Sequence, residues 1–366
     1  MKDSTPKLRI LDLFSGAGGL SYGLEMNDKF KTVVATDFDE HALETFKKNM
    51  PHSEIVPGDI TDANVRDQII KLSKKKKVNM IVGGPPCQGF SMKGKKLGLK
   101  DPRNYLFREY LNIVSALEPE IFIIENVKAI LSTSSGWFKE QIISEIEQMG
   151  YKVTCGVLGA KYYGVPQTRE RAIFLCCKEK ELSLPAPKTE TFTTVREAVG
   201  DIAYLESGEG DFVQDYKTEP TCEYQRLMRK KSKKLYNHKA SNHSAVAIKK
   251  LRMIPPEKGK ECLPEELLGK QKFKTTWGRL RWKELSPTID TRFDASSNGT
   301  NNHPELNRAI TPREAARIQS FDDSFIFYGS KVHIRKQIGN AVPPLLAKAI
   351  ADQIEKDYIK KGEKVK

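Results

Sequence analysis

The sequence has few cysteines and histidines, and their spacing matches no familiar metal or disulfide framework. It contains 6 cysteines and 6 histidines in 366 residues. No two cysteines form a Cys-x-x-Cys pair, and no histidine lies at metal-ligand spacing from them. We therefore expect no metal site, and a reducing, cytoplasmic setting in which the cysteines stay free.

Long hydrophobic runs are also missing. No stretch approaches the roughly 18 consecutive apolar residues that a membrane-spanning helix requires. Residues 1–9 are charged and lack the apolar core of a signal peptide. Hydrophobic residues make up 39% of the chain and charged residues 30%, a balance typical of globular proteins. These features exclude the membrane-embedded and disordered classes and predict no membrane partner.

Acidic residues are in the minority, with 47 Asp and Glu against 61 Lys and Arg and a net charge of +14. Between residues 226 and 260 the sequence has 12 basic residues and a single acid, Glu257. Such a segment favours a polyanionic partner such as nucleic acid. A solvated basic surface without a partner explains the charge alone equally well.

The first 180 residues alternate short apolar runs with helical patterns, which is typical of parallel α/β units. Because the strands are apolar throughout, they predict a sheet covered by helices on both faces. Ligands bind such sheets at the carboxyl ends of the strands. The predicted strands are Leu8–Leu13, Thr32–Thr36, Val78–Val82 and Ile121–Ile124, and the predicted helices are Glu40–Asn49, Ala63–Ser73, Tyr105–Leu117 and Trp137–Met149.

Two prolines, Pro185 and Pro187, mark a boundary after this region. The segment that follows, to about residue 330, is more polar and more basic, and residues 296–302 have the composition of a loop. A capping box with proline at the first helical position predicts a helix from Thr311 to about Gln319. Helical periodicity returns from Pro344 to about residue 360.

A glycine-rich turn, Asp12–Gly19, joins the first predicted strand to a helix. Glycines there let a ligand approach the backbone, and the helix begins with free N–H groups. A dinucleotide fingerprint would have a third glycine where this chain has Ser21. Asp37 and Asp59 follow the next two apolar segments, where a carboxylate is able to accept hydrogen bonds from ribose hydroxyls. The pattern favours a nucleoside-containing cofactor, with Phe38 packing on the base, over a simple tight turn.

A second turn, Gly83–Ser91, places Cys87 directly after two prolines at the end of a strand. Most lone cysteines are small buried hydrophobic residues, which describes Cys155, Cys176 and Cys177 in their apolar runs. The rigid, glycine-flanked position of Cys87 predicts a nucleophile instead. Only the thiolate is reactive, so another group has to activate the cysteine or its substrate.

Candidates for that activation follow two further strands. Glu125 comes after Ile121–Ile124, where partial burial would raise its pKa and favour proton donation. Arg169 and Arg171 alternate along a predicted strand and would point to the same face. Either arginine could donate to a carbonyl oxygen, and a structural ion pair with Glu170 is the equally open alternative.

Together and in this order, these motifs resemble the DNA cytosine-5 methyltransferases of the bacterial restriction-modification type. The resemblance implies an α/β, Rossmann-like domain that binds S-adenosylmethionine, joined to a smaller, irregular target-recognition domain. It places the catalytic and cofactor-binding domain in residues 1–186 and 330–366, and the target-recognition domain in residues 187–329. The motifs that carry it are Asp12–Gly19, Asp37–Phe38, Asp59–Ile60, Gly83–Ser91, Glu125–Val127, Gln167–Arg171, Arg308–Phe321 and Gln337–Pro344.

The resemblance also implies a mechanism. The Cys87 thiolate would add to carbon 6 of cytosine while Glu125 holds or protonates ring nitrogen 3. Arg171 would bind the 2-carbonyl oxygen, and Arg169 would support it or the thiolate. Carbon 5 then takes the methyl group, leaving S-adenosylhomocysteine. The implied cofactor-binding residues are Phe14, Ser15, Gly16, Ala17, Gly18, Gly19, Leu20, Asp37, Phe38, Asp59, Ile60, Pro85, Asn340 and Val342.

The partner implied is double-stranded DNA, from which the target base has to be flipped because its reacting atoms lie inside the stack. We also expect a monomer that works beside a restriction endonuclease, as is usual for bacterial members of the family. The DNA-binding residues expected from the basic segments are Gln88, Ser91, Lys93, Lys95, Lys96, Arg229, Lys230, Lys272 and Arg279.

Three other interpretations are open at this point. A tRNA cytosine methyltransferase would use the same chemistry, but the long basic recognition segment favours DNA. A catalytically inactive DNA-binding protein would not need Cys87, Glu125 and the two arginines together. A nicotinamide dehydrogenase is disfavoured by Ser21 and by the Pro-Cys-Gln turn.

Overall fold

A computed structural model describes residues 7–86, 105–268 and 275–360. The chain divides into two compact units. The first unit consists of Met1–Gly159, Glu170–Pro187 and Pro344–Lys366, and the second of Ala160–Arg169 and Lys188–Pro343. No helix in the described ranges is long and apolar enough to cross a membrane.

The first unit is built on a seven-stranded sheet with the strand order β3-β2-β1-β4-β5-β7-β6. Strands β1 to β5 are parallel to their neighbours, while β7 runs antiparallel to both β5 and β6. The strands are β1 (Leu8–Leu13), β2 (Phe30–Asp37), β3 (Glu54–Pro57), β4 (Met80–Gly83), β5 (Ile121–Val127), β6 (Lys152–Gly159) and β7 (Glu170–Cys177).

Helices pack against this sheet and bury its apolar strands. They are α1 (Gly19–Leu24), α2 (Glu40–Asn49), α3 (Ala63–Lys75), α4 (Tyr105–Leu117), α5 (Trp137–Gln148) and α12 (Pro344–Ile354). A core of aliphatic and aromatic side chains lies between β1, β4, β5 and helices α3 to α5. The carboxylates of Asp39 and Asp62 cap α2 and α3 by accepting hydrogen bonds from free backbone N–H groups.

The predicted α/β pattern is confirmed, and β1, α2 and α4 have the predicted bounds. The strand expected from Val78 begins instead at Met80. Lys77 has a positive φ of 54°, and the Val78 N–H donates to the Ser73 carbonyl at 3.0 Å. Val78 therefore closes the end of α3, which makes it unavailable to the strand.

The antiparallel edge of the sheet was not part of the prediction. Strand β5 extends to Val127, three residues beyond the predicted end, because β7 pairs with its last residues. Glu125 therefore lies inside a strand, opposite Ile173, and not after its end.

The second unit is more irregular. Its strands β8 (Gly210–Gln214) and β9 (Leu235–Lys239) form a two-stranded antiparallel sheet. Its helices are α6 (Val195–Val199), α7 (Glu223–Arg229), α8 (Ala245–Met253), α9 (Glu265–Leu268), α10 (Pro312–Ile318) and α11 (Lys331–Asn340). Residues 296–301 contain turns and no regular element, as predicted.

Helix α10 begins with the predicted capping box. The Thr311 hydroxyl accepts a hydrogen bond from the Glu314 N–H at 3.1 Å, and the Glu314 carboxylate accepts one from the Thr311 N–H at 2.7 Å. Glu314 also pairs with Arg308 at 2.7 Å, and both side chains are fully buried. The cap is thus part of the interior of the second unit.

The contact between α1 and α12 provides a test of the first unit. A side chain at Gly23 would overlap the Pro344 carbonyl oxygen and come within 2.5 Å of the Ala347 Cβ. We expect Gly23→Ala to lower the free energy of unfolding by about 1–3 kcal/mol, because backbone atoms have to move. Urea unfolding measures this change. Ser144→Ala on the exposed face of α5 is the control, and an equal effect of both changes would contradict the packing.

Candidate active site

The segment after β1 turns sharply before α1 begins, and we call residues 14–18 the glycine loop. Phe14, Gly16 and Gly18 have positive φ angles of 58°, 53° and 93°. A side chain at Gly18 would overlap the ring of Phe46, so glycine is required there for packing as well as for its backbone angle. The loop therefore keeps its backbone close to helix α2.

One face of the glycine loop is open. At Gly16 no atom lies within 4 Å of the place where a Cβ would stand. The hydroxyl of Ser15, a residue only 9% exposed, has no hydrogen-bond partner among the described residues. Buried polar groups are normally hydrogen-bonded. An open backbone beside an unpartnered hydroxyl fits a polar ligand lying on this loop.

Asp37 ends β2 next to the glycine loop. Its carboxylate accepts hydrogen bonds from the N–H groups of Gly16 at 2.8 Å and Asp39 at 2.9 Å. Burial raises the pKa of Asp37, and these hydrogen bonds oppose the rise. Phe38 follows with 77% of its surface exposed, which leaves its ring available to stack on a ligand.

The third predicted cofactor segment follows β3. Asp59 is exposed, and its carboxylate accepts the Thr61 N–H at 2.9 Å. Ile60 is buried, as are Ala17, Gly19 and Leu20 of the first turn. The exposed Asp59 carboxylate keeps acceptor capacity for a second donor.

Asp12 lies beneath the glycine loop and was not singled out as a site residue. It is 1% exposed and accepts a hydrogen bond from the Ser21 hydroxyl at 2.6 Å, which joins β1 to α1. Burial raises the pKa of Asp12 to about 7, with a smaller contribution from the charge of Asp37. A carboxyl group within the apolar second half of the strand, between Leu11 and Leu13, was the available sequence signal.

The turn after β4 is held against β5. The Pro85 carbonyl accepts a hydrogen bond from the Asn126 side chain at 3.0 Å. A Cβ at Gly84 would stand 2.9 Å from the Glu125 carboxylate, so only glycine lets this carboxylate lie against the turn. The carboxyl ends of two neighbouring strands thus bring Glu125 beside the residues that lead to position 87.

Glu125 forms an ion pair with Arg171 across the antiparallel strands β5 and β7. The Arg171 Nε lies 2.7 Å from a Glu125 oxygen, and both side chains are largely buried. Burial lowers the pKa of Arg171, whereas the Glu125 charge opposes that change. The alternative pairing with Glu170 is not formed, because the Glu170 carboxylate pairs with Lys128.

Arg169 occupies a different environment from the predicted one. It precedes β7, which begins at Glu170, so the expected alternation along a strand was wrong. Arg169 is 1% exposed, and its guanidinium donates to the carbonyls of Ile289 and Gly339 at 3.0 Å each. These bonds tie together three segments of the second unit.

Several predicted residues lie outside the described residues or in the second unit. Outside the described ranges are Cys87, Gln88, Ser91, Lys93, Lys95, Lys96 and Lys272. The last predicted cofactor residues belong to the second unit. Asn340 ends α11 and is exposed, and Val342 follows it and is buried.

Residues 8–356 match the C-5 cytosine-specific DNA methylases, which accounts for nearly the whole chain. The chain belongs to this family. It is a DNA (cytosine-5)-methyltransferase, and the expected family and Rossmann-like fold class are confirmed.

Individual relatives agree with this assignment. The methylase is 34% identical to the type II methyltransferase M1.HphI of Haemophilus parahaemolyticus, over 95% of this chain and 87% of that protein. It is 36% identical to M.DdeI of Desulfomicrobium norvegicum, over 95% of this chain and 88% of that protein. A DNA modification methyltransferase encoded within an E. coli prophage has a similar crystal structure, with a TM-score of 0.75, 26% identity and coverage of 95% of this chain and 99% of that one.

Two of the arginines expected to contact DNA have structural roles in the methylase. Arg279 is 2% exposed, and its guanidinium donates to the carbonyls of Leu251, Ile254 and His303 at 2.8–3.1 Å. Arg229 pairs with Asp201 and stacks on a tyrosine ring. Neither guanidinium is available as expected, because burial obliges it to satisfy its donors within the protein.

Other cations of the basic segment are available. Arg226, Lys230, Lys249 and Arg252 are exposed and form no ion pair with any described residue. Of these, only Lys230 was singled out from the sequence. Sequence position could not separate them from Arg229 and Arg279, because burial is decided by packing.

The second unit of the methylase also contains a buried ion network that sequence reasoning missed. The Arg317 guanidinium pairs with Asp201 and Asp323 at 2.6 Å each, and all three side chains are fully buried. Arg313, also buried, donates to the backbone carbonyls of Asp322 and Phe325. These arginines add to the net charge of the chain without presenting charge to a partner.

The buried Asp12 carboxyl predicts an unusual pH dependence. The folded protein raises its pKa from 3.8 to about 7, so it favours the neutral form. Below about pH 4 this carboxyl is neutral in the folded and the unfolded protein and does not change stability. As the pH rises to about 7 the free energy of unfolding falls, because the unfolded chain ionises first. The free energy of unfolding of Asp12→Asn, measured relative to that of the wild type, should therefore increase by roughly 2–3 kcal/mol from pH 5 to pH 8. Urea unfolding of both proteins at both pH values measures the gain, and a constant difference would contradict it.

Proposed function

We propose that this methyltransferase transfers the methyl group of S-adenosylmethionine to carbon 5 of a flipped cytosine in a short, specific duplex DNA sequence. The observation that carries the proposal is the Glu125–Arg171 ion pair beside the Gly84–Pro86 turn. This arrangement offers a carboxylate and a guanidinium side by side, next to the chain that leads directly to Cys87.

Cytosine is a poor electrophile, so a thiolate needs help to add to carbon 6. Glu125 holds or protonates ring nitrogen 3, and Arg171 donates to the 2-carbonyl oxygen. The ion pair supports these roles, because it fixes the rotamers of both side chains before the base arrives. Cys87 forms the bond to carbon 6 and leaves again when carbon 5 loses its proton.

The residues of the glycine loop fit S-adenosylmethionine. Gly16 leaves the backbone open, Ser15 has an unpartnered hydroxyl, and Asp37 and Asp59 offer carboxylates at successive strand ends. The exposed Phe38 ring suits the adenine. When bound, S-adenosylmethionine supplies the methyl group on a positively charged sulfur. Carboxylates suit this cation better than the lysines of a phosphate site would.

Pro85, Asn340 and Val342 stay predicted cofactor-binding residues, as the family resemblance implies. The reacting atoms of cytosine lie inside the duplex, so the target base is flipped out of the stack. The segment Ser91–Lys100, which lies outside the described residues, carries four lysines and follows the nucleophile, and this charge favours contact with DNA. Residues 187–329 would provide most of the target recognition.

The relatives named as type II methyltransferases support a biological role in restriction and modification. Methylation of one short sequence would protect the host DNA from a restriction endonuclease with the same specificity. We expect the enzyme to act as a monomer.

The proposed chemistry is tested with labelled S-adenosylmethionine and duplex DNA of mixed sequence. We expect label on carbon 5 of cytosine within one short motif, mapped by sequencing. Cys87→Ser should abolish the label, and Glu125→Gln should lower kcat by about 10²–10⁴-fold, the usual contribution of a positioned acid or base.

Cys155→Ser is the matched control for the nucleophile, because Cys155 lies in β6. Equal activity of Cys87→Ser and the wild type would eliminate the covalent mechanism. Label that enters tRNA but not DNA would replace the proposed substrate by RNA.

The proposed DNA surface is tested through salt. Each phosphate contact contributes about 0.9 to the slope of log affinity against log salt concentration. Lys230→Gln combined with Lys249→Gln should lower this slope by about 1–2. Lys71→Gln on α3 is the control for an exposed lysine of the first unit. If the double variant has the same salt dependence of DNA affinity as the wild type, these two lysines do not contact phosphates.

A further inference from the structure

Asp12 is a buried carboxyl whose charge is not balanced by a neighbouring cation. Its side chain accepts one hydrogen bond, from Ser21, and no described residue forms an ion pair with it. Other fully buried carboxylates of the described chain, such as Glu314 and Asp323, pair with arginines. An isolated buried charge is costly, and the single hydrogen bond from Ser21 offsets only part of this cost.

The position of Asp12 connects this charge to the glycine loop. Asp12 is the next-to-last residue of β1, and Ser21 belongs to α1, so their hydrogen bond spans the loop between them. Asp37 holds the same loop from β2 through the Gly16 N–H. A fully buried carboxyl group, Asp12, and a half-buried one, Asp37, thus lie next to a loop that is open at Gly16.

We propose that the charge of Asp12 makes the glycine loop bind the positively charged methyl donor more tightly than the neutral thioether product. The inference rests on the proposed function, in which this loop binds S-adenosylmethionine. Methyl transfer removes the positive charge from the sulfur, and the attraction to Asp12 is lost with it. In a partly buried site a charge acts over a longer range than in water. Asp12 therefore favours donor binding and product release without touching either ligand.

This role differs from a structural one in what neutralisation does. Asp12→Asn keeps the shape of the side chain and its acceptor for the Ser21 hydroxyl, but removes the charge. If the role of Asp12 is structural, Asp12→Asn should be unstable and should bind both ligands more weakly. If its role is electrostatic, Asp12→Asn should be at least as stable as the wild type and should lose affinity only for the charged ligand.

The experiment measures the binding of S-adenosylmethionine and S-adenosylhomocysteine by calorimetry at pH 8, without DNA. For Asp12→Asn we expect the affinity for S-adenosylmethionine to fall by about tenfold, while that for S-adenosylhomocysteine changes by less than about twofold. Ser21→Ala removes the donor that favours the ionised carboxyl, so it should shift the affinity ratio in the same direction. Ser53→Ala is the control, because this buried hydroxyl donates to the Thr32 carbonyl in the first half of β2.

The outcomes separate the two proposals. An unchanged affinity ratio in Asp12→Asn, an equal loss for both ligands, or an unfolded variant would each overturn the role of Asp12. A wild-type protein that binds neither compound would instead overturn the proposed cofactor, and with it the function on which this inference rests.

Discussion

The parallel register of β1, β2, β4 and β5 is the constraint on which the candidate site depends. Hydrogen bonding pairs Leu13 with Thr36 and with Gly83, and Gly83 with Ile124. Each strand therefore ends at the same edge of the sheet, and each is followed by a segment with polar or glycine residues. Residues far apart in sequence meet there because the carboxyl ends of parallel strands lie side by side.

Charge in this protein has consequences that depend on its partner. Glu125 faces Arg171, so two largely buried charges offset each other and keep defined positions. Arg317 is balanced in the same way by two aspartates in the second unit. Asp12 has only a hydrogen bond from the Ser21 hydroxyl, and its pKa is raised because burial disfavours its charged form. Pairing therefore separates charges that organise the structure from one that is available to act on a ligand.

Much of the fold could be predicted from local patterns. Asp39 and Thr311 cap helices at the positions that their sequences indicate, and the apolar strands of the first unit form a sheet. The direction of β7 could not be predicted, because its apolar run, Ala172–Cys177, has the same pattern in either direction. Its pairing with β5 extends that strand through Glu125, which changes the setting of a proposed catalytic residue.

The sequence by itself determined the family, the α/β class and the order of the motifs, because these depend on residue types and spacings along the chain. It also singled out Glu125 and Arg171 as chemical groups, although it considered only the burial of Glu125 and not the counter-charge. Tertiary structure decided which charges face solvent: Lys230 is exposed, whereas Arg279 donates to carbonyls in the interior. The physical reason is that burial and pairing are properties of the packed chain, since each depends on neighbours contributed by distant segments.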